Sequence, residues 1–160
     1  VYRAVCASRF VDAVDVEYSR PAEFLAAVTE AARKNGILPI YSCHDFKKTP
    51  GKAAMRSQLA KMAAAGAGAA KLAVMPQSPA DVAALMEATR EASAVSTIPV
   101  IAMSMGDLGV RSRVEGWRFG SALSFAAGLS ASAPGQISVA ALRARLLCDE
   151  DATSRTDNTE

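Results

Sequence analysis

The stretch Ala65-Gly-Ala-Gly-Ala-Ala-Lys71-Leu-Ala-Val-Met-Pro-Gln-Ser78 decides the fold of this chain. An alanine-rich segment of helical period ends at Ala65, and the apolar run from Ala69 to Met75 predicts a buried strand. Ser78 then caps the next helix, with Asp81 three residues later as in a capping box. A helix, a strand and a second helix therefore follow one another with short connections. This unit is typical of helices packed around a parallel sheet, so we predict an α/β fold.

The same alternation continues in both directions along the chain. Five strands are predicted, near Ala13 to Tyr18, Ile37 to Ser42, Ala69 to Met75, Ile98 to Ser104 and Ala122 to Phe125. Helices are predicted over Pro21 to Asn35, Gly51 to Ala65, Ser78 to Ala94, Val110 to Phe119 and Ser138 to Leu147, and Tyr2 to Ser8 has the pattern of the end of a further helix. Five such units fit an open doubly wound sheet or most of an eight-unit barrel, which when complete has about 250 residues.

Length and composition indicate one domain. The chain has 160 residues, of which 51% are apolar, enough for a single buried core. We predict this domain over residues 1–148. Residues 149–160 carry five acidic side chains and no aliphatic residue beyond Ala152, so we predict a disordered acidic tail.

The charges, the cysteines and the absence of long apolar runs narrow the class of function. The net charge of +2 comes from scattered Lys and Arg, which disfavours nucleic acid as a partner and favours a small molecule. Cys6, Cys43 and Cys148 are far apart and lack metal-ligand spacing, which predicts reduced thiols in a cytoplasmic protein. No apolar run approaches the roughly 20 residues that span a bilayer. We therefore expect a soluble protein.

Lys71 is the only charged residue between Met62 and Pro76. Burial among apolar side chains disfavours the charged ammonium, and a neutral amine is a nucleophile for carbonyl carbons. The segment therefore predicts Schiff-base chemistry. The alternative is a lysine at a strand end, whose stem packs on alanines while its head reaches water.

His44, the only histidine, directly follows the strand that ends near Cys43. Active sites of parallel α/β folds assemble at the carboxyl ends of strands, and an imidazole can take and return a proton near neutral pH. A loop histidine bonded to the backbone is the structural alternative. On the next strand Ala69, Lys71, Ala73 and Met75 share one face, where the alanines leave room for a ligand. We predict that Lys71 and His44 form a catalytic pair.

Later segments also place polar side chains after predicted strands, as His44 is placed. Arg111 and Arg113 follow the fourth predicted strand, where a guanidinium can clamp a carboxylate. Ser132 and Gln136 precede the last helix, where free backbone N–H groups favour an anion, although an ordinary loop with a helix cap explains them equally well.

Two further pairs carry no assigned role. Met103 and Met105 are more typical of core packing than of ligand contacts. Asp15 and Glu17 share one face of the first strand, where they either hold a water or a hydroxyl or bond to neighbouring lysines. We leave both carboxylates unassigned.

Five segments, taken together, indicate a family resemblance that covers about residues 1–147. They are His44-Asp-Phe-Lys-Lys-Thr-Pro50, Lys71-Leu-Ala-Val-Met-Pro-Gln77, Met103-Ser-Met105 with Gly109-Val-Arg-Ser-Arg113, Phe119-Gly-Ser-Ala122 and Ser132-Ala-Pro-Gly-Gln-Ile-Ser138. Together, in this order and spacing, they resemble type I 3-dehydroquinate dehydratase. The resemblance implies part of a (β/α)8 barrel that dehydrates 3-dehydroquinate to 3-dehydroshikimate in the shikimate pathway of aromatic amino acid biosynthesis. It also implies a homodimer that needs neither a metal nor an organic cofactor.

The resemblance assigns a role to each matching residue. Lys71 matches the lysine that forms an imine with the substrate ketone, and His44 matches the histidine that removes the proton from the adjacent carbon. Arg113 matches the arginine that binds the substrate carboxylate. Ser132 and Gln136 match polar contacts from the last loop.

The chain departs from the family at its N-terminus, where the resemblance implies that the first three strand–helix units are absent. In the family these units carry the carboxylate that orients the histidine, so His44 is expected to lack its orienting partner. Two sheet edges that a closed barrel pairs are expected to be free, which predicts poor stability or association.

Two other functions remain open from the sequence. One is a non-catalytic module, either a ligand sensor on the dehydratase scaffold or a relic, although retention of both His44 and Lys71 disfavours it. The other is a Schiff-base barrel such as a class I aldolase, which would make the His-Asp-Phe and Ser-Ala-Pro-Gly-Gln segments coincidental.

Overall fold

The computed structural model describes residues 1–8 and 10–154, with side chains up to residue 147. Helices alternate with parallel strands, which confirms the α/β class. The strands are β1 (Ala13–Glu17), β2 (Leu38–Asp45), β3 (Ala69–Val74) and β4 (Val100–Ser104). The helices are α1 (Tyr2–Ser8), α2 (Ala22–Lys34), α3 (Lys52–Ala64), α4 (Pro79–Ser93), α5 (Val110–Glu115) and α6 (Val139–Ser154), with short 3₁₀ turns on both sides of α5 (Asp107–Gly109 and Gly116–Phe119).

The four strands lie in their sequence order, and each is parallel to the next. The register places Glu17 opposite Ser42, Ser42 opposite Lys71 and Lys71 opposite Ile101. Residues in register share a face of a sheet, so these four side chains form one row across it. Their row lies toward the carboxyl ends of β1 and β2.

The sheet has two different faces. One packs against the helices through a large apolar core that includes Val16, Tyr41 and Leu72. The other carries a smaller apolar cluster, with Ala69 and Ala73 among its members. The polar side chains of Glu17, Ser42 and Lys71 lie on this same face. The predicted common face of Ala69, Lys71, Ala73 and Met75 is confirmed, since the three apolar residues belong to this smaller cluster and Lys71 alternates with them.

Local chemistry fixes several of the element boundaries. The Ser78 hydroxyl accepts from the Asp81 N–H at 3.4 Å and an Asp81 carboxylate oxygen accepts from the Ser78 N–H at 3.2 Å, which confirms the capping box of α4. Gly36, with φ of 71°, follows the end of α2 as expected. β4 begins at Val100 rather than Ile98, because Pro99 has no N–H for the ladder.

The prediction of a fifth strand over Ala122 to Phe125 is wrong. The Ala122 N–H donates to the Val100 carbonyl at 2.8 Å, but the contact remains an isolated bridge at Ser121. The Ser121 hydroxyl accepts from the Ala102 N–H at 3.1 Å, which takes the place of the backbone carbonyl that a continuing strand would supply. The described residues therefore hold four strands, not five.

The last helix also differs from expectation. α6 runs to Ser154, beyond its predicted end at Leu147, because the sequence there contains no glycine or proline to stop a helix. The domain boundary at residue 148 remains a prediction. The part of the predicted tail over residues 155–160 lies outside the described residues. Within the described part of the chain, no helix is both long and apolar enough to cross a bilayer.

Candidate active site

The centre of the candidate site is Lys71 on β3. The residue is 8% exposed, and its neighbours on the same face, Ala69 and Ala73, are buried. Both neighbours are alanines, whose side chains end at Cβ. The structure thus confirms the predicted burial of Lys71.

Two groups contact the Lys71 amine. Asp15 Oδ2 on β1 lies 2.7 Å from Nζ, and the Phe125 ring lies 4.7 Å from it, measured to the ring centroid. A carboxylate and an aromatic face both stabilise a cation. The amine therefore has a carboxylate and an aromatic ring as neighbours, whereas the prediction from sequence considered only apolar neighbours. The reading of Asp15 as a partner of a neighbouring lysine is confirmed.

The expectation that His44 lacks an orienting partner is wrong. Glu17 Oε2 lies 2.6 Å from His44 Nδ1, and Glu17 Oε1 accepts from the His44 backbone N–H at 3.2 Å. The Ser42 hydroxyl also donates to Glu17 Oε2, at 3.4 Å. The parallel register explains the contact, because Glu17 lies opposite Ser42, two residues before His44 on the same face. With Nδ1 engaged by a carboxylate, Nε2 is the ring nitrogen that faces a ligand.

His44 and Lys71 lie on neighbouring strands and point to the same face. Lys71 is in register with Ser42, and His44 is in register with Ala73. Their side chains are thus diagonal neighbours across one strand pair, as a catalytic pair requires. Phe46 stacks on the imidazole at 5.8 Å between ring centroids, which borders His44 with an apolar surface.

Cys43 lies next to His44 in sequence but on the opposite, helix-packed face. Burial, together with the Glu17 and Asp45 carboxylates, raises the pKa of the Cys43 thiol. A protonated thiol is a poor nucleophile. Of the two neighbouring candidates, Lys71 is thus the nucleophile that the geometry supports.

Arg113 on α5 is 2% exposed. Its Nη1 donates to the Phe125 carbonyl at 3.1 Å and its Nη2 to the Pro134 carbonyl at 3.2 Å, while its buried Nε has no hydrogen-bond partner among the described residues. Burial lowers the pKa of the Arg113 guanidinium from its ordinary value. No carboxylate of the described chain neutralises this cation, so the position suits an anionic ligand.

Arg111 is not equivalent to Arg113. It is exposed, and its Nε donates to Glu115 Oε2 at 2.8 Å, one helical turn away. A surface pair of this kind serves the helix rather than a ligand. The two arginines of the predicted Arg-Ser-Arg segment therefore differ, since Arg113 is buried and Arg111 is exposed.

Ser132 and Gln136 bond to each other rather than to the lysine. The Ser132 N–H and hydroxyl both donate to Gln136 Oε1, at 2.7 and 3.2 Å. Between them, the Pro134 carbonyl accepts from Gly106 N–H at 3.1 Å and from Arg113. The structure therefore brings this loop to Arg113 and to the carboxyl end of β4. Within the described residues neither Ser132 nor Gln136 contacts Lys71 or His44 directly.

The turn of this loop depends on Gly135. Its φ is +73°, and a Cβ there would lie 2.1 Å from the Gly106 carbonyl oxygen. We expect Gly135→Ala to strain the loop by about 1–3 kcal/mol. The Gly106 amide should then exchange its hydrogen with solvent about 10- to 100-fold faster, because its bond to Pro134 is lost more often. Gly128→Ala, which meets no atom within 4 Å, is the matched control, and equal protection in both variants would contradict this account.

Asp15, Glu17 and Phe125 belong to the site, although sequence reasoning assigned them no role. The i, i+2 spacing of the two carboxylates on one strand face was the available signal, but only the register shows which bases they meet. Met103 and Met105 are buried in the smaller apolar cluster, which confirms them as core residues. Met103 Sδ in addition lies 3.5 Å from Arg113 Nη1.

The fold and the site together define a class of α/β protein with a buried lysine and a carboxylate-bound histidine at the carboxyl ends of adjacent parallel strands. The family model of type I 3-dehydroquinase matches residues 1–152. The chain belongs to this type I 3-dehydroquinase family.

Curated relatives agree with the family model. The chain is 45% identical over 139 residues to a 3-dehydroquinate dehydratase of Albidiferax ferrireducens, covering 87% of this chain and 53% of that protein. It is 44% identical over 143 residues to one of Geobacillus sp., covering 89% of this chain and 55% of the relative. The chain therefore spans about half the length of the curated relatives it matches.

Solved structures give the same result. The 3-dehydroquinate dehydratase of Geobacillus kaustophilus superposes with a TM-score of 0.88 at 40% identity, covering 93% of this chain and 58% of that one. The type I enzyme of Clostridium difficile, with covalently modified comenic acid, superposes with a TM-score of 0.89 at 41% identity, covering 94% of this chain and 60% of that one. The alternating strands and helices thus match a little over half of a type I dehydratase.

Proposed function

We propose that this chain provides the Schiff-base centre of a 3-dehydroquinate dehydratase, a hydro-lyase that converts 3-dehydroquinate to 3-dehydroshikimate in the shikimate pathway. The observation that supports it most is the buried Lys71 amine on the same sheet face as a histidine whose Nδ1 is held by a carboxylate. Nucleophile, base and orienting group are the parts that covalent carbonyl chemistry needs.

In the proposed reaction Lys71 forms the covalent bond, and His44 acts first as a base and then as an acid. Lys71 Nζ bonds to the substrate ketone carbon and forms an iminium, with loss of water. His44 Nε2 takes a proton from the adjacent carbon, and the C–H electron pair moves into the enamine as the iminium is neutralised. The enamine then expels the β-hydroxyl, protonated by His44, as water, which restores the iminium. Hydrolysis of the iminium releases the product and the amine.

Arg113 is the proposed site for the substrate carboxylate. Its guanidinium is buried and is bonded by two backbone carbonyls, which fix its direction without neutralising its charge. The polar loop residues Ser132 and Gln136 lie beyond the same carbonyl of Pro134 and are proposed to contact the substrate hydroxyls. This arrangement holds the carboxylate away from the amine that attacks the ketone.

The conservative variant Arg113→Lys tests this assignment. A lysine keeps the charge but loses the two-pronged geometry, so we expect the affinity for 3-dehydroquinate to fall about 10- to 100-fold, in line with about 1.5–3 kcal/mol for a bond to a charged group. Isothermal titration measures the change. Arg111→Lys, an exposed arginine paired with Glu115, is the matched control. An equal loss in both variants would refute a specific role for Arg113.

The proposed function itself is tested by product formation. The chain is incubated with 3-dehydroquinate, alone and with the complementary N-terminal part of a family relative, and the conjugated product is followed by its ultraviolet absorbance. We expect dehydration in the completed assembly. Binding without turnover in that assembly would overturn the enzymatic proposal and favour a ligand sensor.

Partners and location form part of the same proposal. The outer edge of β1 has no strand partner within the described sheet, so it can pair with further strands of the family fold. We propose that the chain works in a larger assembly, as a homodimer or with such a completing segment. A cytoplasmic location is proposed because Cys6 and Cys43 are free thiols.

A further inference from the structure

Lys71 has a different carboxylate partner from His44. Asp15 Oδ2 is 2.7 Å from the Lys71 amine, whereas Glu17 Oε2 is 2.6 Å from the imidazole. Asp15 and Glu17 are alternate residues of β1, so they reach the two bases from one strand and one face. In the described structure the reacting nitrogen of Lys71 has a side-chain bond to Asp15 and none to His44.

We propose that Asp15 is a catalytic residue that relays the protons of imine formation between Lys71 and the substrate oxygen. The inference rests on the proposed function, because it concerns the step in which Lys71 joins the ketone. The two bases then have different roles. Asp15 transfers protons while the C–N bond forms, and His44, oriented by Glu17, takes the proton when the C–H bond breaks.

The relay balances over two passages of a proton, each from nitrogen to Asp15 and then from Asp15 to oxygen. In the first, an N–H proton passes from the ammonium to Asp15, the nitrogen lone pair bonds to the carbonyl carbon, and the C=O π pair moves to the oxygen, which takes the proton from Asp15. In the second, Asp15 takes another N–H proton and gives it to the new hydroxyl. The hydroxyl leaves as water while the nitrogen lone pair forms the C=N bond. Asp15 ends as a carboxylate, and the single positive charge on nitrogen is conserved.

The surroundings of Asp15 suit a relay rather than a permanent ion pair. Its side chain is 36% exposed, whereas that of Lys71 is 10% exposed, so within the described residues Asp15 is the more accessible member of the pair. The Phe125 ring lies 4.7 Å from the amine and provides an apolar contact there. A ketone that reaches the amine therefore also meets the carboxylate bonded to it.

The charge on the Lys71 nitrogen is the same before and after imine formation. Ammonium and iminium carry the same charge, so the Asp15 carboxylate stabilises both about equally and has little effect on the amount of imine at equilibrium. Its effect lies on the rate, through the proton transfers. A residue that only held Lys71 in position could not be replaced by acetate free in solution, whereas a proton-transfer group can.

The test follows imine formation over time in the full chain supplied with the complementary N-terminal part of a family relative, with 3-dehydroquinate as the probe and borohydride as the quench. We expect Asp15→Asn to form the Lys71 adduct about 100-fold more slowly, with an end point within about twofold of the unsubstituted chain. Asp15→Ala should be accelerated by added acetate, which can enter a partly open site and accept the proton. Asp12→Asn removes the same charge just before β1 and is the matched control, with an unchanged rate.

Each other outcome counts against the relay. A wild-type rate in Asp15→Asn, or parallel loss of rate and end point with native circular dichroism, would overturn it. If Asp15→Asn fails to fold, the lack of any acetate effect on Asp15→Ala would do the same. A completed assembly without any adduct at Lys71 would overturn the proposed function as well, whereas a normal Lys71 adduct with no dependence on Asp15 overturns the relay alone.

Discussion

Lys71→Ala is expected to abolish covalent capture of 3-dehydroquinate and to lower turnover by about 10⁴-fold or more, since the variant lacks the amine proposed to form the imine. The variant should fold, because Asp15, which loses its ammonium partner, is 36% exposed at its side chain and can be solvated. Intact mass after borohydride reduction measures the adduct, and absorbance of the conjugated product measures turnover.

The matched control for this variant is Lys61→Ala. Lys61 is an exposed lysine of α3, so its loss removes the same charge without touching the site. We expect its adduct and turnover to equal those of the unsubstituted chain. If Lys71→Ala retained the adduct, the covalent mechanism would have to be abandoned for this chain.

His44→Ala is expected to separate capture from proton transfer. Loss of the imidazole should lower turnover by about 10²- to 10⁴-fold, the usual contribution of a general acid–base group. The Lys71 adduct should still form, because the amine contacts Asp15 rather than His44. Deuterium incorporation from heavy water at the carbon next to the ketone measures proton abstraction, and we expect it to disappear.

Glu17→Gln refines this prediction. The amide keeps the size of the side chain but removes the charge that holds His44 Nδ1 at 2.6 Å. We expect a loss of deuterium exchange smaller than that of His44→Ala, because the imidazole remains but is less well oriented. Exchange at the unsubstituted rate in either variant would show that another group is the base.

The part of the fold that follows from local pattern was predictable. The stretch Ala65 to Ser78 correctly predicted a strand between two helices, because its apolar run, its helical neighbours and its capping residue all act over a few residues. The fifth strand was not predictable in this way. Its absence depends on the Ser121 hydroxyl, which bonds to the Ala102 N–H across nineteen residues of sequence.

In the site, too, local features could be predicted from the sequence and long-range contacts could not. The burial of Lys71 followed from its neighbours, and the position of His44 followed from the end of a strand. The pairing of Asp15 with Lys71 spans 56 residues of sequence, and that of Glu17 with His44 spans 27. Such contacts depend on strand register, which the sequence pattern of one strand does not contain.

The carbonyl contacts of Arg113 also join residues that are far apart in the sequence. The sequence predicted a carboxylate-binding arginine, but its bonds to Phe125 and Pro134 depend on how two later loops pack on α5. These carbonyls hold the buried Arg113 guanidinium in place, whereas Arg111 is exposed. In the sequence, only the family resemblance distinguished Arg113 from Arg111. In the structure, the burial of Arg113 distinguishes them.

Peptide mapping of the borohydride-reduced complex with 3-dehydroquinate tests the central claim most directly. The chain, with the complementary family segment supplied, is reduced, digested and sequenced by mass spectrometry. We predict one modified residue, Lys71, carrying the mass of the reduced ligand adduct. A reduced adduct on an exposed lysine such as Lys47, or no adduct on any lysine, would contradict the account.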